Sequence, residues 1–444
     1  MDRSRRQTTP VPELLSPGGS LEKLRIAFLY GADAVYASGK DFGLRGFAHN
    51  LDAQDLATAT RIAHGLGKKI YVTVNIFARG PDLEKMIPYL EYLQELKIDA
   101  LIISDPGVLL LARKYAPETA VHLSTQANTT NSLSARFWVE QGVRRINPAR
   151  ELSFREVARM VQTSGAEIEV FVHGAMCMSY SGRCLMSAFL NSSAENPGRF
   201  SERNRSANSG FCTQPCRWAW GLVEEKRPGE FFAVEQDSRG TYILNSKDLC
   251  LLEKIGPLVR LGIDAFKIEG RMKGALYAAS VTRAYRQAID RCARNPWALG
   301  AEPAWMDDLC KISHRPYTKG SLFAGAKAGK PDVERQISYI QTHTLAGLVR
   351  SCPDRDVSSV NGDGGKISFE ARSRLLPGQR LEFLNPDGSV CVHVLDAFED
   401  ISGNRLAQAH PNTWIRFCVD FRVFPFQVAR TSNGERLEVG GAMM

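Results

Sequence analysis

The 444-residue chain is 44% hydrophobic and 23% charged, enough apolar content for a large core and for two domains. Its formal charge of +8 and pI near 8.9 lean toward an acidic partner, with RNA first among the candidates. The N-terminus, MDRSRRQTTPVPELL, is basic and polar with no apolar signal stretch after it, and no run approaches membrane-spanning length; together these predict a cytoplasmic protein and argue against membrane insertion through helices.

Residues 1–11 read as a poorly ordered tail. Eight strand-like runs follow: ELLS (13–16), DAVYA (33–37), KIYVTVN (69–75), ALIIS (100–104), VHLS (121–124), RRINPA (144–149), IEVFVHG (168–174) and DAFKIEG (264–270). Between the first seven lie stretches of helical period, such as Leu83, Met86, Leu90 and Leu93, and several strands share a lead-in: GADAV at 31, KIDAL at 97, GIDAF at 262. Repeated strand-helix units imply a parallel sheet with crossover helices, and eight of them predict an α/β fold, a closed (β/α)8 TIM-like barrel over residues 12–330. The alternative is an open doubly wound sheet, but LLSPGGSL after the first strand lacks the G-x-G-x-x-G spacing of a dinucleotide site.

Roughly ninety residues separate the seventh strand from the eighth, against a few tens elsewhere. An insertion there, about 177–247, opens at the barrel's C-terminal mouth, where barrel chemistry is done. Polar residues also fall at strand exits: Asn75, Gln126, Asn128, Arg150, Glu151 and His173. Lys267, Glu269 and Arg271 alternate along KIEGR, which places them on one side of a strand, as a mutual ion-pair network or an anion site. His173 reads equally as a hydrogen-bonded structural residue or as a ligand or acid.

The insertion holds four thiols in two close pairs, Cys177 with Cys184 in FVHGAMCMSYSGRC and Cys212 with Cys216 in GFCTQPCRW. Their loops are rich in Ser, Gly, Asn and Arg and offer little apolar core to bury a thiol, and a reducing compartment argues against disulfides. A four-thiolate metal site remains. Structural zinc suits the 212/216 spacing but not 177/184, and iron-sulfur clusters tolerate both, so the spacing leaves the metal open. Cys250, in DLCLLEKI, reads as core. Beyond 330, short alternating runs separated by NGDGG, NPDG and ISGN turns predict a small antiparallel β domain over 331–430, a barrel or a sandwich, with the barrel preferred, and 431–444 a tail. SHRPYTKG (313–320), at the junction, reads as a solvated linker.

PELLSPGGSLEKLRIAFLYGADAVY, HLSTQANTTN, EVFVHGAMCMSYSGRC, CTQPCRW, RPGEFF, NSKDL and KIEGRMK resemble the family historically filed as U32 peptidases, and most closely its bacterial tRNA hydroxylase branch. The resemblance runs from about residue 12 to beyond 325. It implies oxygen-independent, prephenate-dependent hydroxylation of the tRNA wobble uridine to 5-hydroxyuridine, with a 4Fe-4S cluster on Cys177, Cys184, Cys212 and Cys216. It also implies cations for a dicarboxylate donor, for which Arg45, Arg150, Lys247, Lys267 and Arg271 are candidates, with His173 and Glu269 as further catalytic candidates, and Trp218 or Tyr180 to stack the base. Family relatives acting on ribosomal RNA or quinones supply alternatives, as does the peptidase label itself, although no zinc-protease helix motif or nucleophile-base pair is evident. A C-terminal β domain favours RNA over the short quinone-type relatives. Two departures stand out. The 27 residues between Cys184 and Cys212 exceed the family's usual spacing by about a dozen, a polar addition of small loop-closure cost. The segment from Cys216 to RPGE is short. Cys250 is the less favoured alternative fourth ligand.

Overall fold

Side chains along the first strands alternate between two environments, and this alternation builds the barrel. In the computed structural model, which describes residues 11–43, 50–176, 245–298, 300–324, 339–351 and 365–433 with short strand pieces at 222–223, 231–232, 235–237, 240–242 and 333–334, seven strands come first. They are β1 (Glu13–Pro17), β2 (Ala34–Ser38), β3 (Lys69–Val74), β4 (Ala100–Ile103), β5 (Ala120–Leu123), β6 (Arg145–Ile146) and β7 (Glu167–Ala175). One set of positions, including Leu14, Val35, Ile70, Val72, Leu101, Ile103, Ile168 and Val170, joins the large core shared with the helices. The other set, Leu15, Ala34, Tyr36, Tyr71, Ala100 and Ile102, forms a separate small cluster inside the barrel.

Six helices alternate with these strands: α1 (Leu21–Leu29), α2 (Ala53–Gly65), α3 (Gly80–Glu95), α4 (Pro106–Tyr115), α5 (Ser132–Glu140) and α6 (Phe154–Thr163). Five begin at a side-chain cap that accepts an otherwise unpaired backbone N–H, from Ser20, Asp52, Asp105, Asn131 and Ser153. At Ser153 the cap is reciprocal, because Glu156 accepts in turn from the Ser153 backbone.

After the inserted segment come β8 (Asp248–Cys250), α7 (Ile255–Leu261) and β9 (Ala265–Ile268). β9 is the eighth barrel strand: it runs parallel to β7 on one side and to β1 on the other, so the sheet closes in the order β9-β1-β2-β3-β4-β5-β6-β7. The closed eight-stranded parallel barrel is the architecture the sequence predicts. β8 lies outside the circle, antiparallel to β7 with Asp248 opposite Ala175, and β10 (Tyr317–Thr318) pairs parallel to β8. The two ends of the inserted segment thus stand side by side at the C-terminal end of β7.

α8 (Ala275–Arg294) and α9 (Pro303–Lys311) lead to the second domain. This is one seven-stranded antiparallel sheet with its own apolar core, built from β11 (His343–Ser351), β12 (Gly365–Ala371), β13 (Gln379–Leu384), β14 (Val390–Leu395), β15 (Glu399–Asp400), β16 (Trp414–Val419) and β17 (Val428–Ser432). The NPDG turn joins β13 to β14 and needs glycine at 388, where φ is +90° and a Cβ would fall 2.3 Å from the Gln287 side chain of α8.

Polar contacts made inside apolar surroundings fix the two domains together. Tyr30 donates to the Leu384 carbonyl at 2.8 Å and accepts from the Val428 N–H at 3.0 Å. Arg283, fully buried on α8, pairs with Asp308 of α9 through two nitrogens and donates to the Asn385 carbonyl at 3.1 Å. Arg430 of β17 reaches the same Asp308 at 2.9 Å and Glu382 at 2.8 Å. Removing one member of such a buried set strands the others without water. Arg283→Ala is therefore expected to lower unfolding stability by about 3–5 kcal/mol, read by chemical denaturation; a loss below about 1 kcal/mol would show the cluster to be solvated.

Candidate active site

The inward side chains near the C-terminal ends of the barrel strands enclose a pocket of about 450 Å³. Tyr36, Thr73 and Asn75 form one wall, Ser124 and Gln126 a second, and Arg150, Phe171, Lys267, Glu269 and Arg271 the third. Four sequence candidates, Arg150, Lys267, Glu269 and Arg271, therefore meet at one place, and Asn75 and Gln126 join them.

Each cation is held in a defined pose. Arg271 is buried and donates to Thr73 Oγ1 at 3.1 Å across the mouth. Its own carbonyl accepts from Lys23 Nζ at 2.9 Å, so α1 pins the turn after β9. Burial, with Arg271 nearby, lowers the Lys23 pKa. Arg150 donates to the Ala175 carbonyl at 3.1 Å and stacks over the Phe171 ring at 4.0 Å. Lys267 lies 4.7 Å from the centre of the Tyr36 ring. Asn75 donates to Ser124 at 3.2 Å and to Gln126 at 3.3 Å, which orients the polar wall.

The pocket floor is a line of alternating charges along the barrel axis. Lys267 Nζ is 2.8 Å from Glu169 Oε1, which also accepts from Asn147 at 3.0 Å. Arg145 lies 3.7 Å from the other Glu169 oxygen, 2.9 Å from Glu167 and 2.6 Å from Glu13. Glu13 in turn meets Lys69 at 3.0 Å and accepts from Tyr71 at 2.8 Å. Burial alone would raise the Glu13 carboxyl, but the charges and hydrogen bonds of Arg145 and Lys69 together hold the group below its usual range. His122, beside Tyr71, is driven well below its usual pKa by burial and by Arg145 and Lys267, so it is neutral.

Other candidates lie elsewhere. His173 does not line the pocket. A register shift in the β7–β9 ladder sets Phe171 opposite Lys267 but His173 opposite Ile268, so the expected two-residue alternation breaks and His173 turns toward α8. There it packs among Tyr277, Tyr285 and Tyr317, and burial lowers its pKa to about 3. Lys247 precedes β8 and does not line the pocket, and neither do Asn128 or Glu151. Arg45, Tyr180, Trp218, Cys177, Cys184, Cys212 and Cys216 lie outside the described residues. Cys250 is buried core, as read, with burial pushing its thiol up to about 11. SHRPYTKG is not a solvated linker. Arg315 is buried on Asp248 with contacts of 3.0 and 2.6 Å, and His314 stacks on Tyr317 at 4.3 Å.

Sequence reading missed Glu169, Arg145, Tyr36 and Thr73. The available signal was the two-residue spacing of Glu167, Glu169 and Phe171, which assigns them one face of β7. A second, mostly apolar cavity of about 400 Å³ adjoins the pocket, shares Arg150 and Phe171 with it, and is bordered by Met176, the residue before Cys177.

The model for Peptidase family U32 matches residues 19–331. The chain is similar to tRNA hydroxylation protein P1 of Bacillus subtilis (strain 168), with 34% identity over 96% of each chain. It is likewise similar to tRNA hydroxylation protein P of Escherichia coli (strain K12), with 34% identity over 96% of this chain and 98% of that one. A 23S rRNA 5-hydroxycytidine synthase of Escherichia coli (strain K12) is 36% identical over 63% of this chain and 39% of its own length.

The placement of His173 carries a pH signature. Its pKa is depressed, so below the ordinary value of 6.5 the unfolded chain takes up a proton that the folded chain refuses until about pH 3. His173 therefore costs stability progressively as pH falls through that window. His173→Gln is expected to reduce the slope of unfolding free energy against pH by up to about 1.4 kcal/mol per unit between about pH 6 and pH 4. An unchanged slope would mean that His173 is protonated in the folded protein.

Proposed function

The chain belongs to peptidase family U32, and we propose that it is an RNA-hydroxylating enzyme, converting the wobble uridine of tRNA to 5-hydroxyuridine without dioxygen and with prephenate as hydroxyl donor. The observation that carries this reading is the convergence of Arg150, Lys267 and Arg271 on one pocket at the barrel mouth, beside the root of the four-cysteine segment. Prephenate bears two carboxylates, and guanidinium groups bind carboxylates through paired, charge-assisted hydrogen bonds. tRNA is favoured over ribosomal RNA because the tRNA hydroxylation proteins align with nearly the whole chain, the C-terminal β domain included. We place the enzyme in the cytoplasm with its substrate; among the described residues no helix is long and apolar enough to cross a membrane.

A cysteine-peptidase reading finds no support in Cys250, Cys292 or Cys310. Burial raises the pKa of Cys250, Cys292 and Cys310, whereas a cysteine nucleophile needs it lowered. The donor set Cys177, Cys184, Cys212 and Cys216 suits a 4Fe-4S cluster in number and kind. The segment carrying it is rooted where Ala175 pairs with Asp248, and Met176 borders the cavity next to the pocket. Those four thiolates would hold the cluster, which supplies one-electron redox capacity when bound. The protein's own residues do the rest. Arg150 and Arg271 hold the donor's carboxylates, and Lys267 adds a cation beneath them. Tyr36 and Phe171 give the pocket aromatic walls. A wobble base already lies in a loop and can be splayed into the mouth at modest cost. Half-exposed Phe77, on the loop after Asn75, is a described aromatic available to stack the base, and Trp218 and Tyr180 of the inserted segment are the sequence candidates for the same contact.

The test joins iron and sulfide analysis of an anaerobic preparation with nucleoside mass spectrometry of tRNA from cells with and without the gene. Both iron and sulfide, with loss of 5-hydroxyuridine derivatives, are expected. Cys212→Ala should abolish the cluster and the modification together. Arg271→Ala should weaken prephenate binding by about tenfold or more, the loss of one charge-assisted pair, while leaving the cluster spectrum intact. Zinc in place of iron, or unchanged tRNA nucleosides, would overturn the reading.

A further inference from the structure

We infer that Gln126 is a specificity-determining residue of the mouth pocket: its side-chain N–H2 group receives the ketone oxygen of the donor's 2-oxo acid arm and turns away the ammonium of the matching 2-amino acid. The inference rests on the reading of that pocket as the prephenate site.

The polar wall of the pocket holds one amide still. Asn75, just past β3, and Ser124, just past β5, are both buried. Asn75 Nδ2 donates to Gln126 Oε1 at 3.3 Å and to Ser124 Oγ at 3.2 Å, and the Ser124 hydroxyl donates to the same Gln126 oxygen. Two donors on one carbonyl oxygen set which way a planar amide faces. Oε1 is turned to Asn75 and Ser124, and Nε2 with its two N–H donors lies on the other side. Among the described residues no acceptor engages Nε2, and Gln126 lines the pocket. The backbone beneath is fixed as well. Gln126 is the middle residue of a single 3-10 turn, Thr125–Ala127, which ends at Asn128 in the left-handed conformation, φ +51°. The Thr125 hydroxyl ties that turn to the Pro148 carbonyl at 3.0 Å, and Ser104 donates to the Asn75 carbonyl at 3.3 Å.

Gln126 differs in kind from the cations around it. Arg150, Lys267 and Arg271 match carboxylates, whereas an uncharged N–H2 suits an uncharged acceptor. Beyond its two carboxylates prephenate carries a ketone next to one of them and a ring hydroxyl. The ketone can only accept. In the 2-amino counterpart an ammonium stands in its place and can only donate, so two donors would face each other with neither satisfied. The three cations also repel an ammonium, and an uncharged substitution separates the amide's share from theirs.

Calorimetric titration of full-length, cluster-loaded protein at neutral pH, with prephenate and separately with its 2-amino counterpart, gives the ratio of the two affinities. The wild type is expected to prefer prephenate. Gln126→Met, uncharged and of similar length, should lower prephenate affinity by about tenfold, the loss of one hydrogen bond, without lowering affinity for the amino compound. Ser124→Ala should narrow the ratio too, and should narrow it no further in the Gln126→Met background, because it acts through the amide. If Gln126→Met does not fold, Gln126→Glu, which keeps an acceptor for Asn75 and Ser124, should weaken prephenate and strengthen the amino compound. A wild type without preference, or a Gln126→Met variant that keeps the wild-type ratio, would overturn the assignment. A wild type that binds neither compound would instead remove the donor reading itself, so the two failures are distinguishable.

Discussion

A barrel interior that carries charge must pair every charge it buries, and that constraint organises this molecule. Desolvating an ion costs several kcal/mol, about the whole margin by which a domain is stable. The strands answer by alternation: Lys69, Glu13, Arg145, Glu169 and Lys267 run along the axis with sign reversing at each step. Each member has an opposite charge on at least one side. The apolar part of the interior, from Leu15 to Ile102, occupies β1 to β4, and the charged line is contributed largely by β6, β7 and β9 with Glu13 bridging across. The line ends at Lys267, which lines the pocket with Arg150 and Arg271. The ladder therefore delivers a fixed positive charge to the pocket floor.

Much of this was legible in the sequence. The eight strands and the closed barrel follow from local period and from the recurring Asp-Ala lead-ins, because outward-facing strand positions are apolar whatever lies inside. Lys267, Glu269 and Arg271 could be grouped because the two-residue period of a strand is short-range information. Glu169 could not be joined to Lys267 by the same means. The two are separated by 98 residues, and Glu169 sits inside a run whose neighbours Ile168 and Val170 mark it only as strand. Partnership across a sheet depends on register, and register is fixed by closure of the whole barrel.

His173 shows the complementary failure. Counting by twos from Glu169 and Phe171 predicts a third inward side chain, and the prediction fails at the register shift beside Lys267. The shift has a use at the same point. It lets β7 leave the barrel and pair with β8, which brings the two ends of the cysteine segment together at the mouth. SHRPYTKG was misread for a related reason. Its basic and aromatic composition suits solvent, but Asp248, supplied by the returning strand, gives Arg315 a buried partner that composition does not reveal.

The return strand and the pocket are thus one mechanical unit. Asp248 fixes Arg315 and so β10, and β8 with β10 extends the sheet from the C-terminal end of β7, the strand that carries Glu169 and Phe171. Arg150 ties the same strand end to the pocket through the Ala175 carbonyl and the Phe171 ring. Ala175 and Asp248, at the two ends of the cysteine segment, face each other across paired strands. The root of the segment is therefore tied to the pocket cations through a few short contacts, the rigidity that chemistry on a positioned base requires.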